Sequence, residues 1–353
     1  MGMLPPLISL DEEKNMNPSL RLFRLLLALL LSAAASLCAA QTYKITDLGD
    51  LPGGNFSQAQ AINASGQVSG MAGDSSGNGV VFLYSSGKMV DLGSLGGGKA
   101  IGNGINKSAQ IAGYSTNVAG WYRAFVTVDG KLVDIGDLDG GSSMASSLND
   151  SGQVVGASYL ANGGGAHPFL YSNGKMMDLG GLGGQQSWST ANGINNSGVV
   201  VGSSWKGDQF LGFVWKKGRM KALGTLGGSG SQAYAINNKG QITGAAYTTN
   251  SALHAFITTG GKLKDLGVIS GSGSWGFAIN DSGIVVGQST YGQGGNYHAF
   301  VYNGRKMVDL NKLIPANSGW ELYVANGVND AGRIVGYGTR NGTTLQAFLL
   351  TPR

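Results

Sequence analysis

The chain is poor in the residues that most often do chemistry. Its 353 residues hold one cysteine, three histidines and seven prolines, and only 12% are charged. The one thiol, Cys38, sits in an N-terminal segment unlike the remainder. Residues beyond that segment can have neither a disulfide nor thiol catalysis, so their stability must come from packing alone. Glutamate is as scarce as histidine: beyond Glu12 and Glu13 there is only Glu321. A hydrolase built on paired carboxylates would need Glu321 beside one of the aspartates that do not recur along the chain, namely Asp74, Asp137, Asp139 or Asp208. Long apolar runs are missing as well. The longest, around 25–31, is short of the ~20 residues that span a bilayer, so no membrane span is expected in the mature chain.

The charge balance is mild. A net charge of +5 and a pI near 9.1 would suit a nucleic-acid partner only if the basic residues formed a stripe with stacking aromatics between them. They are scattered instead, with one local concentration at Lys206, Lys216, Lys217, Arg219 and Lys221. No nucleic-acid partner is expected.

Glycine is the residue present in quantity, at 62 residues, among 42% apolar residues. There is no Gly-X-Y register, which excludes collagen. The apolar residues come in short runs of Val, Ile, Leu, Phe and Tyr between Gly-rich turns, the pattern of many short strands. One pattern, apolar-Asn-x-x-Gly-x-apolar-x-Gly, returns along nearly the whole chain. Its asparagines are Asn63, Asn106, Asn149, Asn195, Asn237, Asn280 and Asn329, at steps of 43, 43, 46, 42, 43 and 49 residues. So regular a period specifies a repeat architecture.

Each repeat carries four strand signals. In the sixth, the runs 276–280, 284–287, 298–302 and 306–310 are separated by Asp281-Ser282-Gly283, a polar loop and Asn303-Gly304. Asn-Gly between apolar runs is a strong hairpin signal, so the four strands form an antiparallel meander. The third strand, centred on Phe82, Phe125, Phe169, Phe213, Phe256, Phe300 and Phe348, occurs seven times. The fourth, ending in Asp-Leu-Gly or a variant, occurs six times after a third strand, and once, at 43–49, with no repeat before it. An open stack would leave two bare edges. A ring would use the stray strand to complete the last sheet. The expected fold is therefore all-β: a seven-bladed β-propeller of four-stranded antiparallel blades, closed by pairing 42–49 beside 346–350. Residues 41–353 form one domain of seven repeats of about 43 residues on this reading.

The His-Ala-Phe triplets at 254–256 and 298–300, with Asp-Leu-Gly-x-Leu-Gly-Gly and Ile-Asn-x-x-Gly, resemble the bacterial extracellular HAF-repeat family. The resemblance runs from about Tyr43 to Leu350. It implies a repeat fold and an extracellular setting, and it implies no activity. The histidine itself is replaced in the first, second, fourth and seventh repeats.

Residues 1–40 read as a secretory signal: Arg21 and Arg24, an apolar core, then small residues to Cys38-Ala39-Ala40. Asp11, Glu12 and Glu13 are out of place in such a segment, and Met16 would begin a cleaner one. The protein is expected to be secreted, periplasmic or on the cell surface after cleavage near Ala40.

Repetition also sorts the candidate functional residues. A residue present in most repeats serves the fold. The asparagines suit turns. His167, His254 and His298 share one repeat position and are held apart, so no metal site is expected. The Gly-Gly pairs lack the helix start of a phosphate cradle, and no cofactor is expected. Nor is there a nucleophile elbow before a helix, so no catalytic residue is assigned. Residues that occur once are better candidates for binding. Trp121, Tyr159, Trp188, Trp205, Tyr247, Trp275 and Trp320, with Tyr291 and Tyr297, fall in the loops between second and third strands and between repeats. With Glu321 they suit a polar ligand that has flat apolar faces, such as a glycan, or a protein partner. The expectation is a monomeric binding module. The alternatives are an extracellular polysaccharide hydrolase or lyase with a carboxylate site at a channel mouth, and a structural envelope or matrix protein.

The signal reading has a direct test. Mass spectrometry of exported protein should give an N-terminus at or near Gln41; an exported chain still starting at Met1 or Met16 would refute cleavage.

Overall fold

The computed structural model describes residues 42–353 apart from 162, 164, 185–187, 293–294 and 343. The expected signal segment, with Cys38, lies outside the described residues. Residues Tyr43–Arg353 form one compact unit built of strands, with a single short 3-10 turn at Leu310–Lys312 among the described residues.

The repeated motif explains itself locally. At Asn280 the backbone N–H donates to Ile284 O at 3.1 Å, and Oδ1 accepts from the N–H groups of Ser282 and Ile284, each at 3.0 Å. Gly283 takes φ +77°, a left-handed conformation that only glycine adopts without strain. The asparagine thus closes a tight turn between the first and second strands, as its side chain is suited to do. The next glycine of the motif answers a different need. A methyl group on Gly287 would overlap the carbonyl oxygen of Trp275 on the first strand.

Strands Ser274–Ile279, Val285–Tyr291, Asn296–Tyr302 and Met307–Asp309 pair consecutively and antiparallel into one sheet. Four further sheets also have four strands. One has eight. In it a meander of Ser57–Ile62, Val68–Gly73, Gly79–Ser85 and Lys88–Gly93 meets a second meander of Gly96–Ile105, Ile111–Asn117, Tyr122–Val128 and Lys131–Asp134. The two touch through one parallel pair, Gly79 with Lys99.

The stray N-terminal strand takes the expected place. Tyr43–Asp47 pairs antiparallel with Leu345–Pro352, Tyr43 opposite Pro352 and Asp47 opposite Phe348. It becomes the edge of a sheet whose other strands are Ile334–Arg340 and Trp320–Val328. Leu48 just beyond it is buried with Val68, Phe82 and Val335, which belong to the first and last repeats.

The core is divided among the interfaces between sheets. One phenylalanine from each third strand, Phe82, Phe125, Phe169, Phe213, Phe256, Phe300 and Phe348, has no exposed surface. Each sits in a cluster that draws on neighbouring sheets, as Val286 and Val301 do with Ile334 and Phe348. Burying one such side chain stabilises by roughly 1.5–3 kcal/mol.

The asparagines do more than turn the chain. While Oδ1 serves its own turn, Nδ2 of Asn63 donates to the backbone oxygen of Asn106 at 3.0 Å. Asn106 donates likewise to Asn149, Asn149 to Asn195, Asn195 to Asn237, Asn237 to Asn280 and Asn280 to Asn329, at 2.9–3.3 Å. Asn329 donates back to Asn63 O at 3.0 Å, across 266 residues. All seven bonds are buried, and they form a closed cycle.

Removing one link should be felt. Asn329→Ala strips the Arg333 N–H of its acceptor and takes from Asn63 O one of its two donors, leaving it the Gly66 N–H. An orphaned N–H costs roughly 1–3 kcal/mol, so denaturant titration should show a loss of that order. Ser282→Ala, at an exposed turn position, should change stability by about 0.5 kcal/mol at most. Equal effects of the two would refute a structural role for the cycle.

Candidate functional site

Several polar positions that recur are absorbed by the fold. The histidine of the third strand reaches across to the aspartate of the fourth: His167 to Asp178, His254 to Asp265 and His298 to Asp309, each with Nδ1 at about 2.9–3.0 Å. Arg123 occupies the same position and pairs with Asp134 at 2.8 Å. In the fourth repeat Leu211 replaces the histidine and Ala222 the aspartate, so both members are lost together. The aspartate has a second task, accepting the N–H of the glycine two residues on, as Asp265 does from Gly267 at 2.7 Å. In each of these histidines the ring nitrogen Nδ1 is taken by its own sheet.

The aspartates that do not recur are also engaged away from Glu321. Asp137 binds Arg123 and the Gly141 N–H. Burial pushes its carboxyl up, but these partners outweigh burial and hold it below the usual carboxylate range. Asp74 closes a turn through the N–H groups of Ser76 and Asn78, at 2.8 Å each. Asp139 pairs with Leu160 at a strand start, and Asp208 lies in the turn before Gln209–Lys216.

In an antiparallel meander the asparagine turns lie at one end of the strands. The loops from second to third strand and from one repeat to the next lie at the other. At the asparagine end the turns surround a cavity of about 220 Å³. Its polar lining is occupied with joining repeats: Lys107 N–H donates to Asp150 at 2.9 Å, and Asp281 N–H to Asp330 at 2.8 Å. This end is built of repeated parts.

The loop end holds the place where repetition fails. The step from Asn280 to Asn329 is 49 residues, the longest of the series. It contains the 3-10 turn Leu310–Lys312, N-capped by Asp309, whose side chain accepts from the Asn311 N–H. The Asn311 side chain then clamps Leu322, accepting from its N–H at 2.8 Å and donating to its oxygen at 3.0 Å. Immediately after, a register shift between Leu322 and Val324 leaves Tyr323 unpaired in the ladder. Three other first strands also carry a second shift, at Gly96/Ala100, Asp139/Ser143 and Gly227/Ser231, but each begins farther from its asparagine and leaves the residue matching Tyr323 paired. Bulges re-aim side chains and are common beside functional sites.

Here they frame a pocket of about 470 Å³, lined by Gln288, Asn296, Tyr297, Glu321, Tyr323 and Tyr337 together with Gly295 and Val324. Glu321 is half exposed, and its Oε2 accepts from the Tyr323 hydroxyl at 3.2 Å. Its Oε1 lies 3.7 Å from Nε2 of His298. That histidine is fixed on its other side by buried Asp309 and stacks on Tyr291 with ring centroids 3.8 Å apart. Trp275 stands edge-on to Tyr297 at 5.8 Å. Burial pushes the Tyr337 hydroxyl up, so it stays a neutral donor at ordinary pH. Glu321 is the sole carboxylate lining the pocket among the described residues.

The other aromatics named from sequence are distributed. Trp188 and Trp205, both 43% exposed, flank Phe210 at 6.1 and 5.2 Å in a second aromatic group. Trp121, Tyr159 and Tyr247 are exposed on other repeats. Trp320 packs edge-on against buried Phe348, 6.1 Å away, and belongs with the core. Tyr323, Tyr337, Gln288 and Asn296 were not singled out by sequence reasoning; the 49-residue step is the signal that marks their neighbourhood.

No family model matches the chain, and no curated protein does. Solved structures do. The chain is similar to the β-propeller domain of the Trilobed protease from Pyrococcus furiosus, described as having an open velcro topology, with 10% identity and a TM-score of 0.55 over 84% of this chain and 97% of that one. It is similar to YCF48 bound to D1 peptide, with 10% identity and a TM-score of 0.52 over 88% and 97%. A third similar structure is TolB from Acinetobacter baumannii, with 12% identity and a TM-score of 0.46 over 81% of this chain; the chain spans 64% of TolB. At such identities the first two likenesses show the fold alone: the chain is a β-propeller.

The joint replacement of histidine by Leu211 and aspartate by Ala222 makes the His–Asp bond testable. His254→Leu and Asp265→Ala, alone and combined, form a double-mutant cycle read by denaturant unfolding. The pair should be worth about 0.5–1.5 kcal/mol of coupling. Strict additivity would mean that the two side chains share a site without supporting each other.

Proposed function

We propose that this propeller is an exported binding module that takes a carbohydrate in the pocket around Glu321. The observation that carries the reading is the coincidence of three departures from the repeat at one place. The longest step, the added bulge and the lone glutamate all meet at one aromatic-lined pocket. Sugars offer flat apolar faces for rings and hydroxyls for amide, phenol and carboxylate groups. Tyr297, Tyr323 and Tyr337 supply the rings, with Trp275 standing behind Tyr297; Gln288, Asn296 and Glu321 supply polar partners. The similar propeller with a bound peptide supports the scaffold as a binding platform.

The same reading includes seven blades in one domain over 41–353, following a signal at 1–40 that starts at Met1 or Met16. Two observations support the count. The asparagine cycle has seven members, and the eight-stranded sheet is two four-stranded meanders held by one parallel pair. Export to the periplasm, cell surface or medium, membership of the HAF-repeat family and a monomeric state belong to the proposal too. A hydrolase with paired carboxylates finds less support, because the ionisable groups beside Glu321 are His298 and Tyr323.

A glycan array followed by calorimetry tests the binding site. Tyr297→Ala should weaken binding of the captured saccharide about tenfold, or ~1.4 kcal/mol, with an almost unchanged melting temperature, since Tyr297 is 41% exposed. Undiminished binding in that variant would place the ligand elsewhere, and the Trp188–Trp205 group would be next to examine.

A further inference from the structure

We infer that the saccharide bound at Glu321 carries an amino group, and that this pocket selects its ligand by the sign of charge. The inference rests on the carbohydrate reading of the pocket. The chain as a whole is basic, with a net charge of +5. Yet no lysine or arginine is among the described residues that line the pocket, and its one carboxylate is that of Glu321. A carboxylate has about four acceptor positions. Tyr323 fills one, on Oε2. His298 fills none: 3.7 Å from Oε1 is beyond hydrogen-bond reach. The histidine cannot simply swing closer, because Asp309 holds its Nδ1 at 2.9 Å and Tyr291 lies flat against its ring. Glu321 is therefore a held, half-exposed anion with acceptor capacity facing the pocket.

An ammonium group matches these surroundings in two ways. It donates to the open positions of the carboxylate as a charge-assisted hydrogen bond, and it is attracted to the faces of aromatic rings, of which the lining offers three tyrosines. An N-acetylated sugar can use the rings and amides but not the charge. A uronate would bring a second carboxylate toward Glu321, and like charges in one pocket are a strong means of exclusion.

The test uses the mature chain and three soluble oligosaccharides of matched length: deacetylated chitosan oligomers, the fully N-acetylated form, and oligogalacturonate. Calorimetry is run in a low-salt, mildly acidic buffer in which the sugar amines are charged. The amine form should bind at least about tenfold more tightly than the acetylated form, and the uronate should not bind. Added salt should narrow that gap. Glu321→Gln, which keeps size and shape, should lower the affinity for the amine form to that for the acetylated form and leave the latter nearly unchanged. Equal binding of amine and acetylated forms, unaltered by Glu321→Gln, overturns charge selection while the saccharide site stands. Tighter binding of the uronate overturns it also. If no saccharide of any charge binds, or if Tyr297→Ala leaves binding intact, the carbohydrate reading itself falls.

Discussion

One hydrogen bond, made seven times, closes this molecule on itself. The Nδ2 group of each motif asparagine reaches the backbone of the next repeat, and the last reaches the first. A single such bond contributes only about 1 kcal/mol net. Its importance lies in the cycle. Each asparagine uses its oxygen inside its own turn and one N–H of its amide outside it, and in four repeats the other N–H donates to the glutamine four residues on. The shape of a turn and the spacing of neighbouring sheets are thus fixed by one side chain. No other residue type of that length offers an acceptor and a donor on the same planar group. With the core divided among the sheet interfaces, a shift in one sheet would open a seam on both sides. The cycle makes such shifts expensive.

The regularity also makes departures readable. Where a position recurs, its partner can be found in every sheet, and the replacements are as informative as the matches. Leu211 with Ala222 shows the histidine and the aspartate replaced together, while Val80 with Asp91 shows the aspartate kept for its bond to Gly93 alone. The pocket at Glu321 is the opposite case. There the chain inserts residues, adds a 3-10 turn and breaks the ladder to place Tyr323 where other repeats have ordinary strand. A repeat scaffold can tolerate this because its stability is supplied by the remaining, unaltered interfaces.

Much of the architecture was legible in the sequence because its signals are local and periodic. The Asn-x-x-Gly turns, the buried phenylalanines and the surplus strand at 43–49 could each be read from composition and counting. The second role of the asparagine could not, since a bond to the next repeat leaves no mark on spacing. The site was half legible. Glu321 stood out by rarity. Of the nine aromatics expected in loops, only Trp121 and Trp188 lie outside strands; Trp275 and Tyr297 sit near strand ends, because the strands run further into the loop end than their apolar cores suggest. Tyr323 and Tyr337 lie within strands, where an aromatic looks like packing; only the bulge at Leu322–Val324 turns one of them to another use. Trp320 is the converse: it begins strand Trp320–Val328 and the core claims it.

The pairing of Tyr43–Asp47 with Leu345–Pro352 has a consequence for how the chain is made. Among the described strands, the earliest in sequence has the latest as its partner. For the whole interval it must wait as an unsatisfied edge among growing sheets that have edges of their own. It is only five residues long, and it carries Lys44 and Asp47. Short length and charge are what discourage an open strand from adopting a wrong neighbour. A short, charged strand suits that wait as well as its final seat, and the sheet is completed only when Leu345–Pro352 arrives.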